Sequence, residues 1–333
     1  MYRQALTISG GGFLGLFSAT LLAELEKSLE SPIAMHFDLC SGTPIGGVIA
    51  LAIAAEVPMS RVVSVFEDHG RKIFSNKRAP QSSRERFLDF LSFATKPKYG
   101  NDNLRTALNE LFGENSTIGD LKHPVAIPAL NVTAGSTKVF KTPHHAKLFN
   151  DWKLRLVDVA LATSAAPTFF PIAEVDNELY VDGGLFANSP DLIAHHELTQ
   201  FLGAETSKVR ILSIGTTMTR YSLAHEDGVN YGAYKWMSDA RMFSMMLSAQ
   251  QQMTEFMMSH MLGERYVRID KAQSKEQERY LKLDSASDAT YRELKGLAAS
   301  AWRENRNALI AMVSLESAPA VLYYGPNKNT DTP

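Results

Sequence analysis

Cysteine is almost absent from this chain, as are several features that would mark a particular class of protein. Cys40 is the only cysteine among 333 residues, which excludes an internal disulfide and favours a reducing cytoplasm. The 34 basic and 36 acidic side chains leave a net charge of −2, so no general attraction to DNA or RNA is expected. No apolar run reaches the roughly 18 residues of a membrane-spanning helix. The first residues also lack the apolar core of a signal peptide.

Two successive segments have the pattern of a strand, a glycine turn and a helix. The first is ALTISGGGFLGLFSATLLAELEKSLE, with a strand at 5–8 and glycines at 10–12. The second is HFDLCSGTPIGGVIALAIAAE, with a strand at 37–41 and a helix from 45. Such units connect parallel strands through crossing helices. The sequence therefore predicts an α/β fold with a mostly parallel sheet.

The remainder of the chain divides into a strand-rich and a helical part. Further strands are predicted at 125–134, 136–142 and 209–217. From about 232 to 312 the pattern is helical, and the polar tail from 326 is expected to fray. We therefore expect a core at 1–230, a helical C-terminal part at 231–325 packed on it, and a frayed tail at 326–333.

Residues 71–98 differ in composition from the rest of the core. They hold only two acidic side chains, and phenylalanines are interleaved with the charges. The segment has eight basic side chains: Arg71, Lys72, Lys77, Arg78, Arg84, Arg86, Lys96 and Lys98. We interpret it as an inserted cap or lid. A solvated helical hairpin and a contact surface for anionic head groups or phosphates both remain open.

The first glycine turn also matches a dinucleotide-binding pattern. Gly10, Gly12 and Gly15 give G-x-G-x-x-G between a strand and a helix. That pattern requires an acidic residue at the end of the second strand, about 20 residues on. Asp38 instead begins its strand, which then enters a second glycine turn. A nucleotide-cofactor oxidoreductase is therefore disfavoured.

The two glycine turns together suit an acyl hydrolase. Gly42, Gly46 and Gly47 have the spacing of a nucleophile elbow, G-x-S-x-G, but Pro44 occupies the nucleophile position. Glycines at 10–12 let backbone N–H groups approach a ligand, as an oxyanion hole requires. A third motif adds a carboxylate at the end of a strand: Asp182, followed by Gly183 and Gly184.

These motifs, with ATSAAPTFFP at 162–171, resemble those of the patatin-like phospholipases. The resemblance implies a three-layer α/β fold whose mostly parallel sheet is flanked by helices. It also implies a Ser–Asp dyad in which Asp182 is the general base, and an oxyanion hole built from Gly10, Gly11 and Gly12. Three positions depart from the family pattern. Ser9 occupies a position where many members have Asp, and Leu14 one where most have a basic residue. Pro44 occupies the position of the nucleophilic serine.

The segment LSAQQQMTEFMMSHMLGERYVRID (247–270) resembles short bacterial patatins that act as CBASS-type antiphage effectors. The resemblance implies activation by a cyclic dinucleotide such as 3',3'-cyclic GMP-AMP, with membrane phospholipids degraded from the cytoplasmic face. Gln250–Gln252, Arg265 and Arg268 are candidate nucleotide contacts, because arginine suits phosphate recognition. No other cofactor is expected, and a homo-oligomer is left open.

Pro44 has two consequences for the elbow. It supplies no hydroxyl to attack an ester, so we predict little or no esterase activity for this sequence. It also fixes φ near −65°, which predicts a plain helix start with Thr43 as N-cap and Pro44 at the first helical position. The chain is either a natural pseudoenzyme or an inactivated copy of an active lipase, and one sequence leaves both open.

Two other groups of side chains are candidate sites. The pairs His144–His145 and His195–His196 lack a third spaced ligand, so no metal site is expected. Methionines recur along one predicted helix at Met242, Met245, Met246, Met253, Met257 and Met261. Core packing is the favoured interpretation, with an acyl-chain wall or a partner-binding groove as alternatives.

Overall fold

A computed structural model describes residues 2–29, 31–74, 96–219, 222–223, 225, 228–237, 241–314, 317 and 320–329. The central part of the predicted lid, residues 75–95, lies outside the described residues. Four of its basic side chains fall in that range: Lys77, Arg78, Arg84 and Arg86. The ends of that segment are described. Within the described residues, no helix is both long and apolar enough to cross a membrane.

A single mixed sheet forms the centre of the described part of the chain. Its strands are β1 (Arg3–Ile8), β2 (Leu39–Gly42), β3 (Val125–Asn131), β4 (Ser136–Lys141), β5 (Ala173–Val175), β6 (Glu178–Asp182), β7 (Val209–Ile214) and β8 (Tyr266–Ile269). They run in the order β5-β6-β3-β2-β1-β7-β8, and β4 also pairs with β3. Pairing is parallel from β3 through β2, β1 and β7 to β8, and antiparallel where β3 meets β4 and β6 and where β5 meets β6.

The strand register aligns the turns that carry the candidate motifs. Ile8 at the end of β1 pairs with Gly42 of β2 on one side and with Ile214 of β7 on the other. The two glycine turns therefore leave the sheet at the same edge. β6 enters antiparallel to β3, with Asp182 opposite Ala129. Its carboxylate thus reaches this edge from the opposite direction.

Helices cover both faces of the sheet, which confirms the three-layer α/β architecture. The helices are α1 (Gly15–Lys27), α2 (Ile45–Ala54), α3 (Met59–Ile73), α4 (Asp102–Phe112), α5 (Leu156–Ser164), α6 (Gly184–Ala187), α7 (Asp191–Gln200), α8 (Ala233–Met237), α9 (Arg241–Leu262) and α10 (Asp288–Val313). One apolar cluster packs α1, α2, α5 and α10 against the sheet, and a second packs α7 and the end of α9 against the other face.

The C-terminal part is less helical than its sequence predicts. After α9 the chain forms β8 and joins the sheet beside β7, and it reaches α10 only at Asp288. Aliphatic residues of β8 repeat too briefly to be told from a helix by periodicity. The tail is also tied down as far as residue 329. Asn327 Nδ2 donates to the Asp120 carbonyl at 2.8 Å, and the Leu322 N–H donates to Asn329 Oδ1.

Candidate active site

The glycine loop after β1 is held close to its neighbours on three sides. A Cβ on Gly11 would lie 2.3 Å from Thr216 Oγ1, and one on Gly12 would lie 2.2 Å from the Leu283 carbonyl oxygen. Gly12 also has φ of +56°, which glycine adopts without steric cost. The Gly10 N–H donates to the Asn188 carbonyl at 2.9 Å. Of the three glycines predicted as oxyanion donors, Gly10 therefore has its N–H already bonded to a backbone carbonyl.

The second turn has the crowding of a nucleophile elbow. A Cβ on Gly42 would lie 1.9 Å from the Gly46 carbonyl oxygen, and one on Gly46 would lie 2.1 Å from the Ile8 carbonyl oxygen. These approaches exclude any side chain at either position, because backbone atoms cannot yield. A Cβ on Gly47 would lie 3.0 Å from the Gly42 carbonyl oxygen. The motif glycines are thus required by the turn itself.

Pro44 adopts the conformation of a helix start, with φ −61° and ψ −54°. Its carbonyl accepts from the Val48 N–H at 3.3 Å, and α2 begins at Ile45. The predicted N-cap was one residue early, because Pro44 and not Thr43 is the N-cap residue. Thr43 Oγ1 is buried without a hydrogen-bond partner, so it does not cap the helix.

Asp182 is the ionisable group of the site and is only 1 % exposed. Its Oδ1 accepts from the Gly184 N–H at 2.6 Å, and its own N–H donates to the Ala165 carbonyl at 3.1 Å. Burial raises the pKa of Asp182 to about 7, although the Gly184 N–H opposes that rise. A carboxylate with this pKa can accept a proton near neutral pH.

One pocket joins these motifs. Position 44, Asp182 and the glycines at 11 and 12 all line it, and Ser164 and Asn188 are its other polar residues. Its walls are otherwise apolar: Phe13, Ile45, Val48, Val62, Val65, Phe66, Ile73, Phe74, Leu104, Leu108, Leu111, Phe169, Phe170, Phe243, Leu247 and Leu283 line it. The pocket therefore offers an apolar lining next to a base and backbone N–H groups, which suits an apolar ligand that carries a reactive polar group.

The profile of the patatin-like phospholipases matches residues 6–195. This chain belongs to that family. A protein of Pseudomonas aeruginosa named cGAMP-activated phospholipase is 38% identical over 98% of this chain and 96% of its own length. A Vibrio cholerae protein of that name is 34% identical over 85% of this chain and 86% of its own. A third, from Escherichia coli, is 31% identical over 87% and 86%.

Asn188 is a residue of this patatin site that sequence reasoning missed. It lies in FANSP, six residues after Asp182, and its side chain is completely buried. Both Oδ1 and Nδ2 lack a hydrogen-bond partner. Its backbone is held instead, since its carbonyl accepts from Gly10 and its N–H donates to Gln250 Oε1 at 3.3 Å. The feature of the sequence that could have indicated Asn188 is its place, as a polar residue, shortly after the D-G-G motif.

The two candidate nucleotide-binding arginines of this patatin have different contacts in the structure. Arg265 Nη1 donates to the carbonyls of Thr206 and Val209 at 2.7 and 3.0 Å. Arg268 is buried and pairs with Asp270, Nη2 to Oδ2 at 2.9 Å. Its Nη1 also donates to Ser9 Oγ at 3.0 Å and to Ser213 Oγ at 2.7 Å. Nucleotide binding by either guanidinium stays a prediction.

Most methionines of α9 lie on the surface of the patatin fold. The expectation that this stripe packs in the core was wrong for most of its members. Within α9 the buried methionine is Met258, which was not in the predicted stripe. The exposed ones are Met242, Met246, Met253, Met257 and Met261, and Phe256 is 62% exposed beside them. The methionine spacing predicted one face of a helix but not which face is turned to solvent.

The remaining candidates have structural contacts. His144 Nε2 lies 2.9 Å from Glu197 Oε1, both being buried, and burial lowers the pKa of the imidazole. The described residues hold no group of three metal-ligating side chains. Asp38 Oδ2 accepts from the Gln4 N–H, and its other oxygen pairs with Arg3. A Cβ on Gly15 would lie 2.7 Å from Ile45 Cγ1, so this glycine permits α1 and α2 to approach.

Proposed function

We propose that this patatin is a phospholipid acyl hydrolase scaffold whose reaction is absent because position 44 has no hydroxyl. The observation that carries the proposal is the shared pocket: Asp182 with a raised pKa, the Gly11 and Gly12 backbone and position 44 face one apolar cavity. The composition of that cavity suits an acyl chain, and its few polar groups suit ester cleavage.

With serine at position 44, the chemistry follows from the geometry. Asp182 takes the hydroxyl proton as the serine oxygen attacks the ester carbonyl carbon. The oxyanion then lies near the N–H groups of Gly11 and Gly12. The lysophospholipid leaves with the proton, and water releases the fatty acid from the acyl-enzyme. Pro44 forms no such bond, so the chain as written has little or no turnover.

Membrane phospholipids are the proposed substrate, reached from the cytoplasmic face. Phe243 and Leu247 of α9 line the pocket, and the exposed Met242 and Met246 lie on the same helix. Exposed, adaptable methionines beside an acyl pocket suit contact with a lipid surface. The core at 1–230 supplies most of the pocket, and the C-terminal part at 231–325 supplies this wall.

A cyclic dinucleotide, with 3',3'-cyclic GMP-AMP as first candidate, is the proposed activator. Support comes from three relatives named cGAMP-activated phospholipase, the first of which aligns with nearly the whole chain. The biological role that follows is membrane degradation in antiphage defence. Neither DNA nor RNA is a proposed partner, and homo-oligomerisation stays open.

A pseudoenzyme that binds lipid or nucleotide without turnover is the alternative. It is favoured by the relaxed helix start at Pro44, which shows no conflict with its backbone conformation. Against it, Gly11, Gly12, position 44 and Asp182 line one pocket. Restoring the hydroxyl separates the two functions.

The test uses Pro44→Ser, alone and with Asp182→Ala, on phospholipid vesicles with and without 3',3'-cyclic GMP-AMP. Fatty-acid release by Pro44→Ser that disappears in the double variant supports the lipase. If Pro44→Ser stays silent with the nucleotide bound, the pseudoenzyme is the correct reading. Fatty-acid release that does not depend on the nucleotide would support the proposed lipase activity and contradict the proposed activation by the cyclic dinucleotide.

A further inference from the structure

A second cavity lies between α9 and the chain that follows β8. This cleft, which we call the α9 cleft, has a volume of about 440 Å³ and shares no lining residue with the active-site pocket. Ser248, Gln251, Gln252 and Glu255 line it from α9, and Asp270 and Gln273 line it from the other side. Most of its lining residues are polar, whereas most of those of the active-site pocket are apolar.

Two glutamines that line the α9 cleft have buried carboxamide oxygens without hydrogen-bond partners. Gln251 is only 9% exposed, and its Oε1 is buried with no donor. Gln273 Oε1 is in the same state. Their amide nitrogens are engaged: Gln251 Nε2 donates to Asp270 Oδ2 at 3.4 Å, and Gln273 Nε2 to Thr217 Oγ1 at 3.2 Å. Buried acceptors are normally satisfied, so the cleft is suited to a ligand that carries N–H donors.

The charges of the cleft argue against a phosphate at this place. Its acidic lining residues are Glu255, Asp270 and Glu278, against Arg268 and Lys271. Arg268 is occupied by Asp270 and by serine hydroxyls, and Lys271 Nζ pairs with Glu304 at 2.6 Å. A dianionic group would find no surplus positive charge here. Nucleobase edges are uncharged, and glutamine carboxamides pair with them.

We propose that the α9 cleft receives a nucleobase of the cyclic dinucleotide, with the Gln251 and Gln273 carbonyls accepting from its ring or exocyclic N–H groups. This rests on the proposed activation of the enzyme and assigns it a place. The phosphates then lie outside the cleft.

Arg268 connects this cleft to the oxyanion loop. Its Nη2 binds Asp270 inside the cleft, and its Nη1 donates to Ser9, directly before Gly10. A second route runs through the loop after β7. The Thr217 N–H donates to Asp270 Oδ1 at 2.9 Å, and Thr216 Oγ1 donates to the Gly10 carbonyl at 2.6 Å. A base bound at Gln251 therefore acts on the catalytic loop through positioning residues.

Binding is measured by calorimetry with 3',3'-cyclic GMP-AMP on the full chain, whose Pro44 prevents turnover. Gln251→Ala and Gln273→Ala are each expected to weaken binding by roughly 5-fold or more. Gln200→Ala, an exposed glutamine at the end of α7, is the control and should bind as the parent does. Millimolar guanosine or adenosine should compete, whereas inorganic phosphate should not.

The outcomes separate the two levels of the proposal. If the parent binds and both variants bind equally well, or if phosphate alone competes, the α9 cleft is the wrong place while activation stands. If the parent binds no cyclic dinucleotide, the proposed activation fails as well. Ser9→Ala in the Pro44→Ser chain tests the coupling. It should keep the parent affinity but lose most of the nucleotide's stimulation of hydrolysis, and undiminished stimulation would refute the route through Arg268.

Discussion

Asn188 Oδ1 and Pro44 Cδ both lie beside Gly10, the first glycine of the loop after β1. A Cβ on Gly10 would lie 2.2 Å from the first atom and 2.3 Å from the second. Proline has no N–H, and its Cδ occupies the direction in which any other residue at 44 would donate. We attribute the unpartnered carbonyl of the buried Asn188 side chain to this missing donor.

A double-mutant cycle between positions 44 and 188 tests that relationship. In Pro44→Ser the new backbone N–H is expected to donate to Asn188, so Asn188→Ala should cost about 1 kcal/mol more there than beside proline. The free energy of unfolding in urea measures both costs. Equal costs in the two backgrounds would mean that Asn188 has no bond to position 44.

Gly10→Ala is expected to destabilise the protein by about 1–3 kcal/mol. The added Cβ would overlap Asn188, Pro44 and the Thr43 carbonyl oxygen, the last at 2.9 Å. Gly296→Ala is the matched control, because nothing lies within 4 Å of its position in α10. That change should stabilise by roughly 0.5–1 kcal/mol, since alanine favours the helix interior. Thermal unfolding of both variants decides, and comparable stability of the two would contradict the close packing of the loop.

The rate of the restored enzyme should follow the ionisation of Asp182. Its pKa is raised to about 7 by burial, and only the carboxylate can take the serine proton. kcat/KM of Pro44→Ser is therefore expected to rise with pH through about 7 and then level off. A pH profile between 5 and 9 measures this. A rate already at its plateau at pH 5 would exclude Asp182 as the group that titrates.

The same ionisation predicts a pH-dependent gain of stability in Asp182→Asn. A folded-state pKa above that of the unfolded chain means that the fold keeps its proton and loses stability as pH rises between the two values. Asparagine does not ionise, so its advantage should grow from pH 5 to pH 8, reaching at most about 4 kcal/mol. Urea unfolding at both values tests it. An advantage independent of pH would show that the carboxylate is not strained by burial.

The strand-turn-helix units and the edge where they meet were predictable from the sequence. Gly42 and Gly46 lie so close to backbone atoms that no side chain fits at either position. Their spacing therefore predicts the turn even though the serine is absent. The strand before each turn is a short buried run with a clear end. Pairing Ile8 with Gly42 then follows from a parallel sheet.

Features that depend on long-range packing were not predictable. Strand β8 forms by pairing with the edge of β7, which is distant in the sequence. Its four residues are too few for hydrophobic periodicity to distinguish a strand from a helix. The methionine face of α9 could not be oriented, since apolar spacing fixes a face but not its partner. Asn188 could not be predicted as part of the site, because only the fold brings it beside Gly10 and Pro44.

The central claim is that one hydroxyl separates this chain from an active lipase. Fatty-acid release from phospholipid vesicles with 3',3'-cyclic GMP-AMP, compared among the parent, Pro44→Ala and Pro44→Ser, tests it most directly. Alanine restores the backbone N–H without a nucleophile, so it separates the two effects of proline. We predict release by Pro44→Ser alone. Asp182-dependent release by the parent or by Pro44→Ala would contradict the account.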